Sequence, residues 1–197
     1  MYVTFTKLHK FVVSVFLISL SSCEVINAVD DLVVSQQNKE TYIISKGKHD
    51  SNNGFKKLST SLIRFEATFD SSAVYTTVDP ANQADINKLY GLSDCSTQHH
   101  TNSARFGWRW YNSRLEIHAY TYFNKQRSSE LITTVELNKP YLYQLRLEDN
   151  EYVFILNDVK VSKPRNCSGP GEGYQLYPYF GGDEVAPHNI KIYLKEL

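Results

Sequence analysis

Ala104-Arg105-Phe106-Gly107-Trp108-Arg109-Trp110-Tyr111, then Asn112-Ser113, then Arg114-Leu115-Glu116-Ile117-His118-Ala119-Tyr120-Thr121-Tyr122, is the stretch on which the fold turns. Two runs of strand-favouring residues flank a two-residue turn, which pairs Tyr111 with Arg114 and sets every later pair. Phe106, Trp108 and Trp110 then share a face with Leu115, Ile117 and Ala119. Arg105, Gly107, Arg109, Glu116, His118, Tyr120 and Tyr122 share the other. The first face is a core surface. The second carries forked cations, a carboxylate, an imidazole and phenols, the chemistry of a sugar-binding or acid–base surface.

Outward from this hairpin the same period of two recurs. Ile63, Phe65, Ala67 and Phe69 alternate with Arg64, Glu66 and Thr68, and Ile190, Ile192 and Leu194 alternate with Lys191 and Tyr193. Such alternation reads as half-buried strands. Further strands are expected at Thr41–Ser45, Ala73–Thr77, Glu130–Leu137, Tyr141–Leu147, Tyr152–Leu156 and Tyr174–Phe180. Residues 79–103 read as a long loop with a helical turn at Ala84–Leu89, and loops of that length inside a β domain are commonly functional. Many short, evenly spaced strands predict an all-β fold of two packed antiparallel sheets, with one sheet face left open to a ligand. A closed barrel is the alternative.

The 197 residues suit one domain, and 21 basic residues balance 21 acidic ones. That balance argues against a nucleic-acid partner, which selects for net positive charge. At the N-terminus, Lys7, His9 and Lys10 precede an apolar run from Phe11 to Leu20. The run is about ten residues, against the ~20 that span a bilayer. Leu20-Ser21-Ser22-Cys23 resembles the lipobox of bacterial lipoproteins, which implies acylation of Cys23 and a chain exported to the cell envelope, the outer membrane in particular. The expected division is 1–22 signal peptide, 23–40 tether and 41–197 β-sandwich, with the membrane contacted through the lipid anchor only. Setting Cys23 aside leaves Cys95 and Cys167 as a candidate disulfide, worth about 4 kcal/mol in the chain-entropy model; two free thiols are the alternative.

The run Asn102–Trp110, together with Leu176-Tyr177-Pro178-Tyr179-Phe180-Gly181-Gly182-Asp183-Glu184-Val185-Ala186-Pro187-His188-Asn189-Ile190, resembles a group of exported Bacteroidetes lipoproteins. That group has the concanavalin A-like lectin/glucanase jelly-roll fold. The resemblance covers roughly residues 41–197 and implies a ligand across the concave face of one sheet, which would place Arg105, Arg109, Glu116, His118, Tyr120 and Tyr122 at a poly- or oligosaccharide. The Glu-x-Asp-x-x-Glu run of laminarinase-type enzymes is missing from this chain. So are the Arg-Ser/Thr-Glu-Leu and Tyr-Phe-Lys-Ala-Gly runs of alginate lyases, although Ser128-Ser129-Glu130-Leu131 comes near the first.

Three functions follow in order: glycan binding without catalysis, a polysaccharide lyase or glycoside hydrolase, and a structural lipoprotein that binds protein. A lyase needs a carboxylate neutraliser, from Arg105 or Arg109, and a base, from His118 or Tyr120. A hydrolase needs two carboxylates, Glu116 with Glu66 as the partner on the same sheet face. His99-His100 lack a third ligand at zinc spacing, so no metal centre is expected there. No cofactor is expected either, with Asp183 and Glu184 the candidates for a structural calcium ion.

Overall fold

The computed structural model describes residues 1–2 and 39–197. The signal peptide, the acylation of Cys23 and nearly all of the tether lie outside the described residues. Among the described residues no helix is long and apolar enough to cross a membrane.

Twelve strands follow one another with two short 3-10 turns as the only helical elements among the described residues. They are β1 (Glu40–Ile44), β2 (Lys57–Thr60), β3 (Leu62–Phe69), β4 (Asn87–Ser93), β5 (Ser103–Tyr111), β6 (Arg114–Phe123), β7 (Gln126–Val135), β8 (Tyr141–Glu148), β9 (Glu151–Leu156), β10 (Val159–Pro164), β11 (Gly171–Leu176) and β12 (Ile190–Glu196). One six-stranded antiparallel sheet has the order β1-β12-β3-β8-β9-β10, and the other β2-β11-β4-β5-β6-β7. The fold is a two-sheet jelly-roll sandwich.

The hairpin has the register its sequence sets. Tyr111 pairs with Arg114, Arg109 with Glu116, Gly107 with His118 and Arg105 with Tyr120. Asn112 and Ser113 both have positive φ, the two-residue turn whose twist matches that of the strands. Phe106, Trp108, Ile117 and Ala119 are completely buried between the sheets. Phe106 lies edge-on to Phe65, Tyr143 and Phe154, while Phe65 stacks on Tyr143 at 5.0 Å. These offset and edge-on geometries satisfy the ring quadrupoles as well as filling the layer.

Three sequence expectations are corrected. Ala73–Thr77 forms no strand; Asp70 instead caps a 3-10 turn at Ser71–Ala73 by accepting from the Ser72 amide. Ala84–Leu89 is not helical, because a 3-10 turn ends at Ala84 and β4 starts at Asn87. Strand β4 escapes a period-two reading because a bulge between Lys88 and Tyr90 breaks its alternation. Glycine also sits at its centre, and a Cβ on Gly91 would lie 2.5 Å from Arg105 Cα.

One knot ties the loops at the end of the sandwich. Cys95 and Cys167 are disulfide-bonded with their Cα atoms 5.7 Å apart, 72 residues apart in sequence. Beneath them Arg165 Nε donates to Asp94 Oδ2 at 2.7 Å, with both side chains fully shielded from solvent. Asp94 also accepts from the Tyr152 hydroxyl and the Glu172 amide, and the remaining Arg165 nitrogens reach the carbonyls of Glu148, Gly169 and Pro170. A buried pair with this many partners is locally satisfied.

Candidate functional site

The outer face of β4, β5 and β6 is not the open sheet surface that the alternation predicts. Pro178–Gly181 prolongs the line of β11 along β4: Lys88 and Tyr179 exchange both backbone hydrogen bonds, at 2.8 and 2.9 Å. Phe180 N donates to His49 O, and Ser51 Oγ donates to Pro178 O, which brings the loop after β1 alongside. Gly181 has φ of +83°, and a Cβ there would meet the Glu184 carbonyl at 2.1 Å, so the segment turns at a residue that must be glycine. On this face Lys88, Arg105, His118 and Tyr120 are each less than a tenth exposed. What remains open is a cleft of about 440 Å³.

The six hairpin residues divide. Arg109, Glu116 and His118 form a knot at one end of the face: Arg109 Nε donates to Glu116 Oε2 at 2.7 Å, His118 Nε2 lies 3.3 Å from the same oxygen, and Arg109 Nη1 reaches Ala84 O. Glu116 is buried and paired, and Glu66 stands in the opposite sheet on β3. The carboxylate pair that a hydrolase needs on one face is therefore not formed by these two, because the strand order separates them. Burial and the nearby Arg109 push the His118 imidazole below its usual pKa.

Arg105 lies toward the cleft, its guanidinium carbon 5.3 Å from the ring centre of buried Tyr120. Half-buried Tyr122 packs against His100 at 5.2 Å between ring centres. Arg105 lines the cleft together with His99, Tyr174, Leu176, Tyr177 and Tyr179. Its Nε is buried without a hydrogen-bond partner, and no carboxylate among the described residues forms an ion pair with it. Lys88 is held beside it, its ammonium donating to Gly181 O at 2.6 Å between the rings of Tyr120 and Tyr179. Burial, with Arg105 adding repulsion, pushes the Lys88 amine down to about 8. Burial first, then Arg105 and His100, push the His99 imidazole down to about 4, so it is neutral at physiological pH.

The sequence around His99 offers only an incomplete zinc spacing, and Tyr174 carries no site signal. The disulfide and the Asp94 knot fold residues 94–102 over β11, where His99 Nδ1 lies 2.7 Å from the Tyr174 hydroxyl. Ser103 Oγ fixes the loop further by donating to His99 O. The adjacent His99 and His100 rings tilt against each other rather than converging on one point. Among the described residues, the one close grouping of three metal-ligand side chains is Asp94, Cys95 and Cys167, two of which are disulfide-bonded. Glu184, read as a candidate calcium ligand, accepts from the amides of Val78 and Asp79 and from Asn82 Nδ2.

No protein-family model and no curated protein matches the chain. Solved structures do. The alginate lyase vAL-1 from Chlorella virus superposes with a TM-score of 0.50 at 14% identity, over 81% of this chain and 83% of that one. The alginate lyase AlyC3 gives 0.54 at 8% identity, over 83% and 75%. SCLam, a non-specific endo-beta-1,3(4)-glucanase, gives 0.53 at 7%, over 80% and 71%. At these identities the likeness is one of fold, the jelly-roll sandwich.

Proposed function

We propose that this protein is an exported, lipid-anchored β-sandwich that binds an acidic oligosaccharide in the cleft over Arg105. One observation carries the reading: a buried guanidinium with no carboxylate partner among the described residues. Burying an unpaired cation costs several kcal/mol, so proteins normally pair it. This fold does so completely for Arg165 and not at all for Arg105. An anionic sugar substituent, a uronate carboxylate or a sulfate, supplies the missing acceptor in the bidentate geometry that arginine favours. Tyr174, Tyr177 and Tyr179 line the same cleft and offer flat apolar surfaces to pyranose rings.

Calorimetry with oligouronates, sulfated oligosaccharides and neutral oligosaccharides of equal length tests the reading. Binding confined to the acidic ligands is expected; a neutral ligand bound as tightly overturns it. Lys88 gives the binding a pH signature. A nearby anion favours the charged amine, so affinity is expected to fall by about tenfold as pH rises through 8 and Lys88 loses its proton. A Lys88→Met variant flattens that dependence. A profile equally steep in the variant assigns it elsewhere.

Anchoring rests on the lipobox-like Leu20–Cys23 run. Cys23→Ser is expected to move the protein from the membrane pellet to the soluble fraction after export. Unchanged pelleting excludes Cys23 as the attachment point.

A further inference from the structure

We propose that the cleft also cleaves the glycan it binds, by β-elimination at a uronate, with Tyr174 and His99 moving the proton and Arg105 holding the carboxylate. This deepens the acidic-glycan reading and rests on it. Three separate elements bring the groups together: Arg105 from β5, Tyr174 from β11 and His99 from the disulfide-tied loop.

The hydrogen bonding at Tyr174 is what points to proton transfer. Its oxygen accepts from the His99 backbone N–H at 3.1 Å, lies 2.7 Å from His99 Nδ1 and reaches Gln98 Oε1 at 3.1 Å. A phenol has one proton, so it donates to either the imidazole or the amide oxygen. The backbone N–H donated to the phenol oxygen stabilises negative charge there whichever acceptor is used. Burial and Arg105 keep the imidazole neutral, hence able to take a proton at physiological pH. The pair thus has an acceptor ready and an oxygen poised to lose its hydrogen, both beside an unpaired guanidinium.

Elimination uses these groups without a co-reactant. Arg105 forks onto the uronate carboxylate and stabilises the charge that spreads into it as the C5 proton leaves. Tyr174 passes its hydroxyl proton to His99 Nδ1 and takes the C5 proton. The released electron pair forms the C4–C5 double bond, and the C4–O4 bond breaks. The departing oxygen takes a proton from Tyr174, and His99 returns its proton to Tyr174. One proton moves from C5 to O4, and no water is consumed. Hydrolysis would instead require two carboxylates. Among the described residues lining the cleft only Asp50 is acidic, and its Oδ1 accepts from the Asn52 amide.

The test incubates the full chain with polymannuronate, polyguluronate, polyglucuronate and polygalacturonate, following the ultraviolet absorbance of the unsaturated uronate. Calorimetry with the matching oligosaccharides runs in parallel. We expect product from at least one polymer. Tyr174→Phe and His99→Gln should each slow the reaction by about 100-fold or more while changing oligosaccharide affinity by less than about threefold. Binding with no unsaturated product from any polymer overturns the lyase and leaves the binding reading standing. An absence of binding overturns both. Product formed at an unchanged rate by both variants overturns the roles given to Tyr174 and His99.

Discussion

Asp94→Ala is expected to lower stability by about 3–5 kcal/mol, the loss typical when one partner of a buried ion pair is removed. The substitution leaves Arg165, 2% exposed, with carbonyl acceptors and no counter-charge. It also strips the Tyr152 hydroxyl and the Glu172 amide of their acceptor. Urea melts read the loss directly, with the slope held constant as the control for two-state unfolding. The double variant Asp94→Ala/Arg165→Met should recover most of it, because removing both charges leaves neither unpaired. A single-variant loss under about 1 kcal/mol would mean that Arg165 escapes to solvent and that the knot is not what fixes these loops.

Arg105→Met should do the reverse. Affinity for an acidic oligosaccharide is expected to fall by two to three orders of magnitude, about 3–4 kcal/mol for a lost pair of charge-assisted hydrogen bonds. Thermal stability should hold or rise by about 1–2 kcal/mol, since an uncompensated cation is exchanged for an apolar chain of similar length. The two arginines are comparably buried, so exposure alone does not distinguish them. Their partners do: Arg165 has a carboxylate and three carbonyls, while Arg105 has a free Nε and a cleft. A strongly destabilised Arg105→Met protein would show that the guanidinium serves the fold through its stacking on Tyr120, and the binding reading would lose its support.

How much of this was legible in the chain varies with the range of the interactions involved. The hairpin pairs from Tyr111–Arg114 to Ser103–Tyr122 follow from one local turn, so residue order alone predicts them. Strand β4 was hidden by its bulge and by the central glycine that packs against Arg105. The same register sets Glu116 directly across from Arg109, so their ion pair was legible too; the tertiary contact of Arg109 with Ala84 was not. Glu66 shares the alternation of a sheet exterior, but alternation does not say which sheet. His99 enters the cleft through a covalent link across 72 residues, which no periodicity encodes. Arg105 and Tyr120 were thus readable as a pair by register, and Tyr174 was not readable as their neighbour.

The segment that narrows the face into a cleft has a consequence for biosynthesis. Strand β11 and the Pro178–Gly181 segment both come from residues beyond 170, whereas the hairpin that carries Arg105 ends at Phe123. A nascent polypeptide that ends before β11 can pair β4 through β7, yet it has neither Tyr174 nor the Tyr179–Gly181 segment that holds Lys88. The hairpin is therefore an early structure and the cleft a late one. Affinity for a ligand arises only when β11 and the segment after it dock, so occupancy of the cleft reports that the chain has been made and folded at least through Tyr179.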